Sequence, residues 1–177
     1  AAVKLHSSAG TNGDLFINAG TDLAVGGNLS ITATTGNITQ GAAVAVTGTS
    51  SFTTSASNGT ITLSETSNAF TGAVSLSTSG SSGNATVVNA SGLNLAASTV
   101  GGTLSATATT GNITQSGVLT ITGATTLVTS ANDATITLGS ANAFTGALTI
   151  TTNDASGTDA DVTIDNGTTA LVIAAST

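Results

Sequence analysis

Apolar residues alternate with polar residues in short runs along the whole chain. Examples are Leu29-x-Ile31, Val44-x-Val46 and Ile61-x-Leu63. Alternation with a period of two and many β-branched side chains predicts strands of about three to five residues. Clusters of Gly, Asn, Asp and Ser, such as residues 57–59, separate the runs and supply the backbone conformations of tight turns. The pattern therefore predicts an all-β chain without a helix of useful length.

Long words of sequence recur at nearly constant spacing. The stretch GGNLSITATTGNITQ at residues 26–40 returns as GGTLSATATTGNITQ at residues 101–115. The word NAFTGA occurs at 68–73 and again at 142–147, and LNLAAST at 93–99 returns as LVIAAST at 171–177. Self-similarity at a fixed period is typical of repeat architectures.

Each long unit divides into three sub-units with about three strand signals each, so each sub-unit predicts one turn of a three-sided coil. The predicted coils are residues 1–22, 23–42, 43–65, 66–92, 93–117, 118–140 and 141–168, with the start of another at 169–177. Both ends of the sequence cut across the repeat. We therefore expect one repeat segment, residues 1–177, of a longer protein.

A coil of three short strands cannot bury its own apolar side chains. Stacking coils in register buries them, because each strand then pairs with its counterpart about 4.8 Å away. The prediction is a parallel β-solenoid of about seven coils, roughly 30 to 35 Å long. A β-sandwich or a propeller fits less well, because their cores and blades use aromatic residues, which make up only 2% of this chain.

Stacking also predicts which residues point inward and which turn corners. Equivalent residues of the two long units are expected in the same slot, three coils apart. The predicted inward pairs are Phe70 with Phe144, Phe52 with Leu127, and Ile38 with Ile113. Asn37 and Asn112, each after a glycine, are expected to turn corners and to bond their own backbone.

Charge narrows the range of partners. The formal net charge is −7 with a single Lys or Arg, so phosphate backbones and anionic membranes should be repelled. No apolar run approaches the roughly 18 residues of a spanning helix. We therefore expect no nucleic-acid partner and no membrane insertion.

Candidate chemistry is sparse. His6 is the single histidine, and no Cys or Tyr accompanies it, so a nucleophile–base relay lacks its parts. The alternation around Lys4 and His6 predicts solvent-facing side chains instead. The sequence predicts no catalytic residue, no metal ligand and no cofactor site, and hence no enzyme.

Acidic residues cluster once, in the long stretch from Asp154 to Asp165 that also contains Asp159 and Asp161. Oxygen ligands this close in sequence could hold Ca²⁺. The matching stretch of the first copy, STSGSSGNATVVNASG, has no acid, and the G-G-x-G-x-D calcium pattern is incomplete. A solvated loop is therefore favoured over a calcium site. Glycoside hydrolysis by paired carboxylates is also disfavoured, because no Trp or Tyr can form a sugar-stacking floor.

Asparagine sequons and threonine triplets allow two further interpretations. Sequons begin at Asn28, Asn37, Asn58, Asn84, Asn89, Asn112 and Asn166. Turn formation accounts for most of them, and sugar modification stays an alternative. The triplets Thr32-Ala33-Thr34 and Thr107-Ala108-Thr109 could form a flat hydroxyl face. The triplet returns only once in three predicted coils, so no such face is expected.

On the words GGNLSITATTGNITQ and NAFTGAVSLS and the AAST endings, the chain resembles the repeat region of large secreted bacterial surface proteins of the filamentous haemagglutinin type. The resemblance covers essentially all 177 residues. It implies a right-handed β-helical shaft, exported to the cell surface and serving adhesion, aggregation or biofilm.

Three functional hypotheses follow. The first is a structural shaft or spacer of an extracellular adhesin or surface fibre. The second is a β-helical face that binds glycans or host proteins, and the third and least favoured is a polysaccharide-degrading enzyme. The expected neighbours are further coils of the same longer chain, or other copies stacked end to end, because the outermost coils present unpaired strand edges.

Overall fold

The computed structural model describes residues 3–7, 13–17, 21–155 and 160–177. In these ranges the chain forms 21 strands and no helix. The strands are β1 (Val3–Ser7), β2 (Leu15–Ile17), β3 (Leu23–Val25), β4 (Leu29–Ala33), β5 (Ile38–Gln40), β6 (Val44–Val46), β7 (Ser50–Ser57), β8 (Ile61–Leu63), β9 (Ala69–Phe70), β10 (Val74–Ser79), β11 (Ala85–Asn89), β12 (Leu93–Leu95), β13 (Ser98–Val100), β14 (Leu104–Ala108), β15 (Ile113–Gln115), β16 (Leu119–Ile121), β17 (Thr125–Asn132), β18 (Ile136–Leu138), β19 (Ala143–Phe144), β20 (Leu148–Asn153) and β21 (Val162–Ile164).

The strands stack into three parallel sheets along one axis. Sheet A has eleven strands in the order β1-β4-β7-β10-β12-β15-β18-β21, with β13, β16 and β19 as a side branch. Sheet B has seven, β2-β5-β8-β11-β14-β17-β20, and sheet C has three, β3-β6-β9. The predicted parallel β-solenoid of about seven turns is thereby confirmed.

The core is a continuous column of inward side chains. Between β4 and β7, for example, Leu29 pairs with Ser50 and Ile31 with Phe52. All six residues predicted to point inward are buried: Ile38, Phe52, Phe70, Ile113, Leu127 and Phe144. Removing each such side chain from water contributes about 1.5 to 3 kcal/mol, so stacking supplies the driving force that one coil lacks.

The second copy of the repeat is rotated by one side relative to the first. Ile38 lies on β5 in sheet B, whereas its counterpart Ile113 lies on β15 in sheet A. Likewise β4 belongs to sheet A and β14 to sheet B. The expectation that recurring words occupy the same slot three coils apart was therefore wrong.

The lengths of the turns explain this rotation. Three turns starting at Leu29 pass through Ser50 and Val74 and reach Leu95, whereas the second copy of the word places the counterpart of Leu29 further along, at Leu104. The surplus contains an extra strand, β13 (Ser98–Val100), in the residues AASTV at 96–100, which follow LNL at 93–95, whereas GG follows LAV directly at residues 23–27. Both β12 and β13 pair with β10, so one side of the solenoid splits into two.

A buried asparagine ends each discontinued side. Sheet C stops at β9, where Asn89 Oδ1 accepts a hydrogen bond from Phe70 N at 2.8 Å and Asn89 Nδ2 donates to Phe70 O at 3.1 Å. Asn166 bonds the backbone of Phe144 at the end of β19 in the same way, at 2.7 and 3.2 Å. The side-chain amide thus satisfies the backbone groups that a further strand would otherwise pair.

Glycines allow close approach of successive coils at one corner. A Cβ atom on Gly123 would lie 2.5 Å from Gly102 O, and one on Gly146 would lie 2.4 Å from Gly123 O. These distances are too short for any side chain, so this column of corners requires glycine.

We expect Gly123→Ala to destabilise the solenoid by about 1 to 3 kcal/mol, because the added methyl group meets the backbone of the coil beside it. Gly139→Ala is the matched control, since no atom lies within 4 Å of a Cβ built there. Thermal or urea unfolding followed by circular dichroism measures both variants. Equal losses of stability would contradict the assigned corner packing.

Candidate functional site

Residues with catalytic or metal-binding chemistry are scattered over the solenoid. In the parts of the chain that the structure describes, no group of three or more His, Cys, Asp or Glu residues could hold a metal ion. The same parts contain no helix long and apolar enough to cross a membrane. Lys4 is exposed on β1, where the backbone of His6 pairs with Thr32. The His6 side chain lies outside the described part, so its solvent-facing position stays a prediction.

The acidic stretch flanks the last strand of sheet A. Asp154 follows β20, Asp161 precedes β21, and both are exposed. Asp165 Oδ1 accepts a hydrogen bond from Gly167 N at 2.7 Å, so this carboxylate stabilises the turn in which it lies. Asp159 lies outside the described residues. The predicted solvated loop stays a prediction.

An amide pair connects two of the recurring words. Gln40, the last residue of GNITQ, donates from Nε2 to Asn68 Oδ1 at 2.8 Å, and Asn68 Nδ2 donates back to Gln40 Oε1 at 2.9 Å. Asn68, the first residue of NAFTGA, also accepts from Val44 N at 2.9 Å and donates to Val88 O at 3.1 Å. The pair therefore bonds three successive coils, and Asn68 is completely buried.

The second copy builds the same pair. Gln115 Nε2 donates to Asn142 Oδ1 at 2.9 Å, and Asn142 Nδ2 donates to Gln115 Oε1 at 3.1 Å. Asn142 Oδ1 also accepts from Leu119 N at 2.9 Å. Sequence reasoning missed this network. The sequence did contain a signal, because Gln ends GNITQ and Asn begins NAFTGA in both copies of the repeat.

Corner asparagines bond the next coil. Asn37 Oδ1 accepts from Thr60 N at 2.8 Å, and Asn112 Oδ1 accepts from Thr135 N at 2.9 Å. These residues do turn corners, but the expectation that they bond their own backbone was wrong, because the adjacent coil offers an aligned N–H. Among the sequons, Asn89 and Asn166 are buried, which makes them unsuitable for modification in the folded chain.

A column of hydroxyl side chains runs along the outer face of sheet B. Six successive strands contribute one residue each, in register: Thr39, Thr62, Thr86, Ser105, Thr126 and Thr149. A second outward column beside it contains Val88, Thr107, Val128 and Thr151. These columns are not a ladder of the Thr-x-Thr triplets, because Thr32 lies on sheet A and Thr107 pairs with Val88 and Val128.

The face of sheet B is uncharged. None of its seven strands contains a charged residue. Its outward side chains are short and β-branched, so they form a regular surface with hydroxyl and methyl groups at the strand spacing of about 4.8 Å. Such a face can donate and accept hydrogen bonds but offers neither charge nor aromatic stacking.

A shallow groove of about 270 Å³ lies on sheet C. Its floor includes Ala24, Ala45 and Ala69, which are aligned by strand pairing. In the second copy the outward positions of the corresponding branch are Thr99, Thr120 and Ala143, so the apolar floor is not repeated. The groove therefore belongs to the first copy only.

One known family matches the chain twice. Residues 6–77 and 82–151 each match a family described as repeats of unknown function, DUF5649. The chain belongs to the DUF5649 repeat family. Each matched segment contains one copy of the words GNITQ and NAFTGA. No curated protein and no solved structure matches this DUF5649 chain.

The Gln40–Asn68 amide pair should couple two coils energetically. Each single alanine variant leaves buried donors or acceptors without a partner, which costs about 1 to 3 kcal/mol of stability per group. The double variant should therefore lose less stability than the two single variants added together. We expect a coupling of about 0.5 to 3 kcal/mol from a double-mutant cycle in urea. Gln40→Ala with Asn112→Ala provides the control pair, which should be additive. Additivity of the Gln40 and Asn68 changes would contradict the assigned pair.

Proposed function

We propose that this DUF5649 chain is a shaft or spacer segment of an extracellular bacterial adhesin or surface fibre. Its role in this proposal is to hold other regions of a larger assembly at a fixed distance from the cell. Adhesion, aggregation or biofilm formation would then depend on what the shaft presents. The proposal includes no catalytic role.

One observation carries the proposal: a single core runs unbroken through all turns of the described solenoid. The inward residues from Ile17 to Leu148 belong to one buried cluster. Every strand in the three sheets pairs in parallel with a strand of an adjacent turn, so bending the axis would break hydrogen bonds along a side. A structure of this kind resists bending and adds length with each turn.

Hydrogen bonds between turns support the same proposal. The amide pairs and corner asparagines bond adjacent coils to each other. The recurring words therefore contain residues that hold successive turns together. The resemblance to filamentous haemagglutinin repeat regions adds the surface location and the bacterial source to this proposal.

An antibody raised against the purified segment tests the location. We expect it to label intact, unpermeabilised cells of the organism that encodes the chain, with gold particles set away from the cell envelope in electron micrographs. A cytoplasmic marker on the same cells is the control. Labelling that requires permeabilisation would contradict an extracellular shaft.

A second candidate function is glycan binding by the outer face of sheet B. The observation that favours it is the pair of aligned columns that contain Thr86, Thr107 and Thr126. Neutral sugars present hydroxyl groups that these side chains can bond, and nothing in the strands of sheet B repels or attracts charge.

A glycan array with the purified chain separates the two candidates. A binding face predicts retention of neutral glycans that is lost in the double variant Thr86→Lys, Thr126→Lys. The double variant Thr114→Lys, Thr137→Lys, on the outward side of sheet A, is the matched control and should bind like the original chain. A pure spacer predicts no retention by any of the three.

A further inference from the structure

The seven asparagine sequons lie in three different environments in the folded chain. Asn89 and Asn166 are buried, and the Nδ2 atom of each donates hydrogen bonds to backbone oxygens. Asn37 is half-buried, and its Nδ2 donates to Asp14 Oδ1 at 3.1 Å. The remaining four are exposed: Asn28, Asn58, Asn84 and Asn112. Exposure therefore reduces the seven sequons to four candidates for sugar modification.

The amide oxygens of the four exposed asparagines bond the next coil. Asn84 Oδ1 accepts a hydrogen bond from Thr103 N at 2.8 Å. Asn28, Asn58 and Asn112 accept from a backbone N–H of the next coil in the same way. Only the oxygen of an amide group can accept a hydrogen bond from an N–H, so these bonds determine which amide atom faces the next coil. The nitrogen is the other one.

The amide nitrogens of these four side chains are free. Their Nδ2 atoms make no hydrogen bond within the described part of the chain, whereas the Nδ2 of Asn37 is bonded to Asp14. A substituent on Nδ2 leaves the lone pairs of Oδ1 in place. The hydrogen bond from the next coil is therefore retained when the nitrogen carries a sugar.

The strand that follows three of these asparagines places the hydroxyl group of the sequon on the outside. After Asn84, Ala85 begins β11 and is buried, and Thr86 is the first outward residue. The same alternation places Ser30 on the outside of β4 and Thr114 on the outside of β15. None of the three hydroxyl groups bonds another described residue. A free amide nitrogen and a free hydroxyl group are thus available together, as an Asn-x-Ser/Thr acceptor requires.

Two sequons lack this combination for identifiable reasons. After Asn58, Thr60 lies before β8, and its hydroxyl group donates to Asn37 Oδ1 at 3.0 Å. Asn37 is followed by an outward hydroxyl residue on β5, Thr39, but its Nδ2 is bonded to Asp14. Asn37 is therefore a control within the chain, because it has the local sequence and strand position of a site without a free nitrogen.

We propose that Asn28, Asn84 and Asn112 are sites of N-glycosylation in the folded chain. The donor is a sugar whose anomeric carbon carries a phosphate leaving group, linked to a nucleotide or to a lipid. The bond from the anomeric carbon to the phosphate oxygen breaks, and the phosphate leaves with the electron pair. The bond from Nδ2 to the anomeric carbon forms as Nδ2 loses a proton to a base of the transferase. This inference goes beyond the proposed function and requires only the fold.

Peptide mass spectrometry of the chain isolated from whole cells of the organism that encodes it tests the three sites. Electron-transfer fragmentation locates each sugar on the sequence. We expect sugar on Asn28, Asn84 and Asn112, and none on Asn37 or Asn89. A chain without sugar on the three sites would overturn the proposal. Equal occupancy of Asn37 or Asn89 would also overturn it, because the fold would then select nothing.

Two variants of one hydroxyl residue test the sequon assignment at Asn84. Thr86→Val removes the hydroxyl group but leaves Asn84 and its hydrogen bond from Thr103 in place. We expect the sugar to be lost from Asn84 and retained on Asn112. Thr86→Ser is the matched control and should keep both sugars, and circular dichroism verifies that both variants are folded. Sugar on Asn84 of Thr86→Val, or its loss from Thr86→Ser, would contradict the assignment.

Sugar transfer in vitro tests the folded state and distinguishes the two donors. Unmodified, folded chain from a host without sequon glycosylation is incubated with the soluble or the membrane fraction of the encoding organism, each supplied with sugar nucleotides. Transfer to Asn84 by the soluble fraction alone supports a nucleotide-linked donor, and transfer that requires membranes supports a lipid-linked donor. No transfer to Asn84 with either fraction would overturn modification of the folded chain.

Discussion

Hydrogen bonding between parallel strands of successive turns is the interaction on which the rest of the structure depends. Within the described residues no strand has a partner in its own turn, and a turn of three short strands encloses too few side chains to exclude water alone. Pairing at about 4.8 Å brings the inward residues of adjacent turns into contact and seals them as one column. Side-chain amides also bond neighbouring turns to each other, in the pairs Gln40 with Asn68 and Gln115 with Asn142.

Much of this architecture could be predicted from the sequence, because the pattern of each strand is local. Alternation defines strands such as β4 and β8, and recurring words reveal the turns. The rotation between the two copies could not be predicted in this way. It arises because three turns carry the chain from Leu29 only to Leu95, whereas the repeated word resumes at Leu104. The residues at 96–100 contain the extra strand β13, and the amide of Asn89 ends sheet C, and the place of both in the solenoid depends on the neighbouring turns.

The candidate surfaces follow from this rotation. The outward hydroxyl column from Thr39 to Thr149 combines residues from different words of the two copies, so word-by-word alignment conceals it. The amide pairs were likewise invisible to local patterns, because Gln40 and Asn68 are far apart in sequence and meet only when one turn lies on the next. In a solenoid, residues of neighbouring turns together form both the outer faces and the stabilising polar contacts.

A density map of the purified chain at a resolution that separates strands tests the central claim most directly. The structure predicts parallel strands spaced by about 4.8 Å along one axis, with residues 104–108 over 85–89 and residues 113–115 over 93–95. It also predicts Ile38 and Ile113 on different sides of the solenoid. Antiparallel neighbours, or Ile113 in the same column as Ile38, would contradict it.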